Sequence, residues 1–375
     1  MSLPSPTPAD TPTGLLATSV GRVGTALAVA VVLLVPFVLG SDFWMTVLAN
    51  AAIFAIAGVG LSLLTGYAGQ VSLGHAAMLS IGGYVAVWFG ADQGWPLLLW
   101  LLVTAAIGGL VGAAVGPFAL RFRGNYLVVV TLALLFITVH VFENWDRFTA
   151  GFDGKSASGL PLSIGPLDFG ELSIPGKDFT REQGLYYLSW LVLGLVLVVA
   201  RNIVRARPGR ALQAIRDRDI AAEIIGVGTA RYKIGAFVVS SGIAALAGGL
   251  HAASVRFITP GDPSSQLFLS IRFVAIIIVG GLGSLWGVVV GALLLGPLPE
   301  LLKEHADLFG FTVPGVGEPL LKATPTSPGL LTAAALSEIL FGVLLVVFLM
   351  FQPRGVAGMV ADLRNRLAAR KDRTP

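Results

Sequence analysis

Side chains able to bind a solute or move a proton gather in one stretch of this chain, Leu63–Met78, which reads "LLTGYAGQVSLGHAAM". Tyr67, Gln70, Ser72 and His75 alternate there with Gly66, Gly69 and Gly74, between two apolar runs. Glycine leaves backbone donors and acceptors open to a ligand, and a helix starting near Leu73 would point its first N–H groups at an anion. The same residues would serve equally as a tight turn packed against the rest of the chain. A second glycine break, Gly280, Gly281 and Gly283, recurs late in the sequence. The remaining chemistry is sparse. His75, His140, His251 and His305 are scattered without HxxxH or HExxH spacing, and there is no cysteine, which excludes disulfides, thiol catalysis and thiolate metal sites. No metal site and no clustered catalytic constellation is expected. "TAGFDGKS", Thr149–Ser156, imitates a phosphate-binding loop, but Thr149 stands where glycine is needed and Ser158 and Gly159 follow where a helix should begin. The chain therefore shows no means of hydrolysing ATP.

What positions these residues is a bilayer. With 55% hydrophobic and 12% charged residues and a mean hydropathy of +0.82, the chain is far from a soluble domain, in which about 25% of residues are charged. Apolar runs at Val23–Gly40, Trp44–Leu64, Ala76–Gly90, Leu97–Leu120, Tyr126–Phe142, Leu185–Ala200, Ile234–Val255 and Leu331–Phe351 each approach the length of a crossing, roughly 20 residues. Leu267–Leu302 is too long for one span and splits at its glycines into two short helices. The expected fold is an all-α polytopic membrane bundle of about ten transmembrane helices. Gly108, Gly112 and Gly116 recur at four-residue spacing within one span, a pattern of close helix packing. Residues 1–22, rich in proline, are expected to form a disordered tail ahead of a retained first span. The net charge of +4 sits between apolar runs, which points to membrane topology and away from nucleic acid.

Charge sets the expected orientation. Residues 201–233 carry eight Lys and Arg against three acidic residues, whereas 143–184 carry seven acidic against four basic. Excess Lys and Arg marks the cytoplasmic side, so 201–233 is a cytoplasmic loop, and 143–184 and 303–330 are extracytoplasmic segments. The transmembrane domain covers 23–353, residues 354–375 form a basic cytoplasmic tail, and both termini are cytoplasmic.

Within the loop, Pro208 and Gly209 mark a break and Arg210–Ile225 has helical periodicity. Ala211, Ala214, Ile215, Ala221, Ala222 and Ile225 share one stripe, Ile220 and Ile224 form an apolar pair on the far side, and Gly226 and Gly228 stop the helix. One face would rest on the bundle while the other meets a soluble partner, or the helix would lie on lipid or in solvent.

"GRALQAIRDRDIAAEIIGVGTARYKIGAF" resembles the coupling-loop motif of ATP-binding-cassette (ABC) importer permeases, in the form found in the branched-chain amino acid permease family of the LivM type. "LLTGYAGQVSLGHAAMLSIGGY", "LRFRGNYLVVVTLAL", "GGLGSLWGVVVGALLL" and a late "FQPRGVAG" fit the same family, in order, over most of residues 44–358. The resemblance implies a bacterial inner-membrane permease subunit that moves branched-chain amino acids. Its partners would be a second, LivH-like permease subunit, two ATP-binding cassettes that hold the ATP and magnesium, and an extracytoplasmic solute-binding protein. Coupling to the cassettes would fall on Arg210, Ala211, Ala214, Ile215, Ile220, Ala222, Glu223, Ile224 and Gly226. The path would be lined by Tyr67, Gly69, Gln70, Ser72, Gly74, His75, Gly280, Gly281 and Gly283. Urea, short amides or aromatic acids are alternative solutes of the same architecture. An ion-coupled carrier would need carboxylates in its spans, where Glu338 stands alone. Arg272 departs from the pattern, standing where relatives often carry an acidic residue, and a mid-bilayer arginine must snorkel outward or face the pore.

Overall fold

The computed structural model describes residues 19–121, 125–174, 177–261, 267–304, 331, 333–352, 355–360 and 362. The segments 1–18, 122–124, 305–330 and 363–375 lie outside the described residues. Helices α1 (Ser19–Val38), α2 (Asp42–Leu61), α3 (His75–Ala86), α4 (Leu97–Arg121) and α5 (Asn125–Glu143) lead to a short α6 (Asp146–Thr149). After it come α7 (Arg181–Arg205), α8 (Arg207–Asp217), α9 (Asp219–Ile224), α10 (Thr229–Val255), α11 (Leu267–Gly280), α12 (Leu285–Leu295), α13 (Leu298–Glu304) and α14 (Ala333–Phe351). Two π-helical turns, Ser62–Tyr67 and Val87–Asp92, extend α2 and α3. Among the described residues, seven helices are long and apolar enough to cross a membrane, and Ala26–Val38 and Leu267–Gly280 are shorter apolar helices.

Helix ends overrun the apolar runs, and at α7 a cap rather than hydropathy sets the boundary. α1 takes in residues 19–22, expected as tail, and α7 begins four residues before the apolar run. Thr180 caps α7: its hydroxyl accepts from the Gln183 backbone N–H, and the Gln183 side chain accepts from the Thr180 N–H. Pro36 lies inside α1 and has no N–H to give the Val32 carbonyl. Tyr186 of α7 fills that vacancy, its hydroxyl donating to Val32 O at 2.9 Å, and Tyr187 donates to Leu33 O at 3.2 Å.

α2 is apolar all round and so must be interior, and nearly all of it is buried between α7, α10 and α12. Its Asn50 accepts a hydrogen bond from Ser254 of α10 at 2.8 Å. α10 is the hub of the packing. Gly108, Gly112 and Gly116 of α4 lie on it as their spacing predicts, with Gly112 against Phe237 O and Ser241. α3 meets α10 through a reciprocal pair. A Cβ on Gly82 would stand 1.9 Å from Ala245 O, and one on Gly248 would stand 1.8 Å from Leu79 O. The expected split of Leu267–Leu302 is present as an antiparallel pair, α11 and α12, joined at Gly281 (φ +112°) and Gly283 (φ +80°). At 14 residues α11 spans about 21 Å, less than the hydrocarbon thickness of roughly 30 Å.

The segment between α5 and α7 is built from three two-residue ladders. One of them, Lys155–Ser156 against Phe257–Ile258, pins it to the end of α10. Lys155 also pairs with Asp92 and covers the Trp88 ring. No helix follows Lys155 and Ser156, so the phosphate-loop look-alike is a strand and a turn. This end of the bundle is opposite to the one that carries α8 and α9.

Gly248→Ala should destabilise the chain by about 1–3 kcal/mol, because the new methyl would force backbone apart from backbone. Gly109→Ala, whose nearest neighbours would be 3.5 Å away, should change little. Thermal midpoints in detergent check the pair, and equal midpoints would refute the packing described.

Candidate functional site

The glycine breaks and the loop helices, far apart in sequence, meet at one place. Gly66, at the end of the first π-turn, lies against the Gly283 turn so closely that a Cβ on it would stand 2.6 Å from Gly283 N. Arg216 of α8 reaches both: its Nη1 donates to Gly66 O at 2.7 Å, and it lies 3.5 Å from where a Gly283 Cβ would be. The Arg216 stem covers Gly69, whose φ of +68° keeps a side chain out. Gly355, past the end of α14, stacks on Gly281. Arg216 falls off the apolar stripe in the sequence, so periodicity gave no reason to select it. No local signal marked it, since Gly66 lies 150 residues away.

Between Tyr67 and His75 the backbone leaves helix, and the freed groups are satisfied from inside. Leu73 N donates to Thr131 Oγ1 at 3.0 Å, Gly74 N to Ser72 Oγ at 3.3 Å, and Ala76 N to Ser270 Oγ at 3.2 Å. The helix starts at His75, with Gly74 as its cap, rather than near Leu73. The donors expected to face an anion are thus taken by three hydroxyls. His75 is buried, with Nε2 2.8 Å from Ala57 O and its ring edge-on to Phe273. A carbonyl can only accept, so Nε2 carries the hydrogen. The buried Gln70 Oε1 has no hydrogen-bond partner among the described residues. Gly280 packs on Gly287, where a Cβ would stand 2.2 Å from the Gly287 carbonyl oxygen.

The single predicted helix Arg210–Ile225 is two. α8 begins at Arg207, so Pro208 and Gly209 lie in its first turn, where proline needs no donor. At Arg218 the backbone is extended (φ −154°, ψ 97°), and this shifts the helical phase. Ile215 and Ala222 are buried and Ala211 and Ala214 half-buried, but Ala221 and Ile225 are exposed, which corrects the predicted stripe. Leu212, outside that stripe, is buried in their place. Ile220 and Ile224 are exposed at 68% and 79%, Arg210 and Glu223 are also exposed, and Gly226 (φ +85°) ends α9. Lys233 of α10 holds Asp219 at 2.6 Å, so the elbow is fastened on one side and bare on the other.

Arg272 is half-buried, its guanidinium carbon 4.7 Å from the Phe341 ring centre and 5.8 Å from that of Phe54, within electrostatic reach of Glu300 and Glu338. The aromatic faces and carboxylates offset its insertion cost of about 2.5–3.5 kcal/mol. An apolar groove of about 520 Å³ lies between α4, α7 and α10, lined by Ala105, Gly109, Val196, Val238 and their neighbours. A smaller niche is lined by Ser80, Tyr84 and His251. None of the predicted path residues lines either. Among the described residues no three His, Asp or Glu side chains come together as metal ligands.

Long apolar helices, interrupted by glycine turns that meet a polar elbow at one end, define a helical polytopic membrane protein. A family model described as "Branched-chain amino acid transport system / permease component" matches residues 43–349, and the chain belongs to that family. It is 33% identical over 273 residues to the high-affinity branched-chain amino acid transport system permease protein LivM of Salmonella typhimurium, covering 68% of this chain and 62% of that protein. LivM of Escherichia coli is 30% identical over 269 residues, with the same coverage. The permease protein LivH of Escherichia coli is 24% identical over 276 residues, 69% of this chain and 86% of that protein. The chain thus spans about 62% of the length of these LivM proteins. No solved structure matches it.

Thr131→Val leaves the Leu73 N–H without an acceptor, a loss of about 1–3 kcal/mol. Amide exchange at Leu73 and Gly74 should accelerate at least about fivefold, and unchanged exchange would show that the turn does not depend on this hydroxyl.

Proposed function

We propose that this chain is the membrane-spanning permease subunit of an ABC importer for branched-chain amino acids. It lies in the bacterial plasma membrane with the α8–α9 elbow and both termini in the cytoplasm. Family membership supports the transport role, and the arginine-rich composition of the elbow supports its side of the membrane. One observation carries the coupling role: the elbow is bolted to the bundle through Leu212, Ile215 and Ala222 while Ile220, Ile224 and Ile225 face outward, bare. Bare isoleucines on a short polar helix suit the groove of a soluble protein. In this reading the groove belongs to an ATP-binding cassette, one of two, which hold the ATP and magnesium. A LivH-like second permease subunit completes the path, and an extracytoplasmic binding protein delivers the solute to the side that carries residues 143–180. ATP biases the bundle only through contacts that differ between its states, and the elbow is where such contacts are made.

In proteoliposomes holding all these subunits, leucine, isoleucine or valine uptake should require ATP on the elbow side together with the binding protein. Uptake driven by an ion gradient alone overturns the importer reading, and uptake of urea, an amide or an aromatic acid instead reassigns the solute. Ile224→Glu should abolish co-purification of the cassette while the bundle still inserts. This is a cleaner probe than Ala222→Glu, which would bury a charge. Retained co-purification would reject the elbow as the docking point.

A further inference from the structure

We infer that Arg216 is the positioning residue that carries movement of α8 to both glycine turns, acting as a latch that is closed in this structure and opens when the elbow is pulled. The inference rests on the importer reading above. Three features of the geometry lead to it. The Gly66 carbonyl, at the end of a π-turn where helical donors run out, takes its hydrogen bond from Nη1 of Arg216, 150 residues away in sequence. The Gly66 and Gly283 turns touch backbone to backbone, so whatever holds one holds the other. Arg216 also has an alternative partner: its Nε lies 3.3 Å from Asp217 Oδ1, and the two side chains are 41% and 68% exposed. The guanidinium can leave Gly66 without being stranded, because Asp217 and water remain to receive it. A buried ion pair would be too costly to open at each cycle, whereas a half-exposed bond to a neutral carbonyl is reversible. The hydroxyls of Ser72, Thr131 and Ser270, by contrast, belong to the bundle and cannot report where the elbow is. Among these four side chains that hydrogen-bond the turn backbones, that of Arg216 alone comes from α8.

The test uses the complete importer in proteoliposomes, with leucine moved per ATP hydrolysed as the readout. R216A should retain hydrolysis and lose about tenfold in this ratio, the scale of one charge-assisted hydrogen bond. R216K, which keeps the charge and a donor, should recover part of it. R201A should leave it unchanged, since Arg201 lies on α7, outside the elbow, and among the described residues bonds neither turn. If R216A does not assemble, R216Q carries the same comparison. A variant that melts earlier with an unchanged ratio makes Arg216 a structural staple and overturns the latch. The chain has no cysteine, so spin labels at Gln213→Cys and Leu282→Cys are unambiguous. The distance distribution between them should be narrow in the purified wild-type chain and broad with R216A. If wild type shows no ATP-dependent uptake, the importer reading fails by itself. The latch then stands or falls on this distribution, and an unchanged width overturns it.

Discussion

A peptide group in hydrocarbon has no water to pair with, and leaving it open costs several kcal/mol. Several departures from helix among the described residues are shaped by that constraint, and each of the following is met by a side chain. Pro36 frees the Val32 carbonyl, and Tyr186 of α7 answers it. The turn before α3 frees three N–H groups, and Ser72, Thr131 and Ser270 answer them. The π-turn after α2 leaves the Gly66 carbonyl, and Arg216 of α8 answers that. Because most of these partners lie on other helices, the repairs also lock the helices to one another.

The second constraint is proximity. Between helices in lipid, association comes from close contact rather than from exclusion of water, so small residues carry the packing. Gly82 with Gly248 and Gly280 with Gly287 allow backbone to rest on backbone, where a single methyl would collide with a carbonyl oxygen. α10 accepts α4 on one side and α3 on another by this means, and α2 fills the space they leave. Large apolar side chains such as Leu102, Phe136 and Leu195 are exposed on the outside of the bundle. Small residues set the closest helix contacts of this protein, and large ones such as Trp100, Phe273 and Ile53 fill the core between them.

These two constraints give the elbow its place. It is the charged segment that touches both glycine turns, and it does so with one arginine whose other edge remains in water. A rigid bundle with rigid turns would have no means of sensing a soluble partner. A bundle whose turns are closed in part by a side chain from outside it has one, which is the part the proposed latch would play.

Hydropathy and charge order were enough to determine an all-α membrane protein, the positions of its helices to within a few residues, and the split at residues 280–283, because lipid imposes length and composition directly on the chain. The spacing of Gly108, Gly112 and Gly116 likewise announced close packing, and the far-side pair Ile220 and Ile224 is as bare as periodicity implied. Periodicity failed at Arg218, where one extended residue shifts the phase and moves Ala221 and Ile225 into the open. It also could not foresee that the donors on either side of His75 were already spoken for, since Thr131 and Ser270 lie 58 and 194 residues from the N–H groups they accept from. Above all, only the tertiary structure set Arg216 between the turns of Gly66 and Gly283. A hydrogen bond between residues 150 apart leaves no local pattern; it arises when packed helices bring the two chain segments to the same end of the bundle.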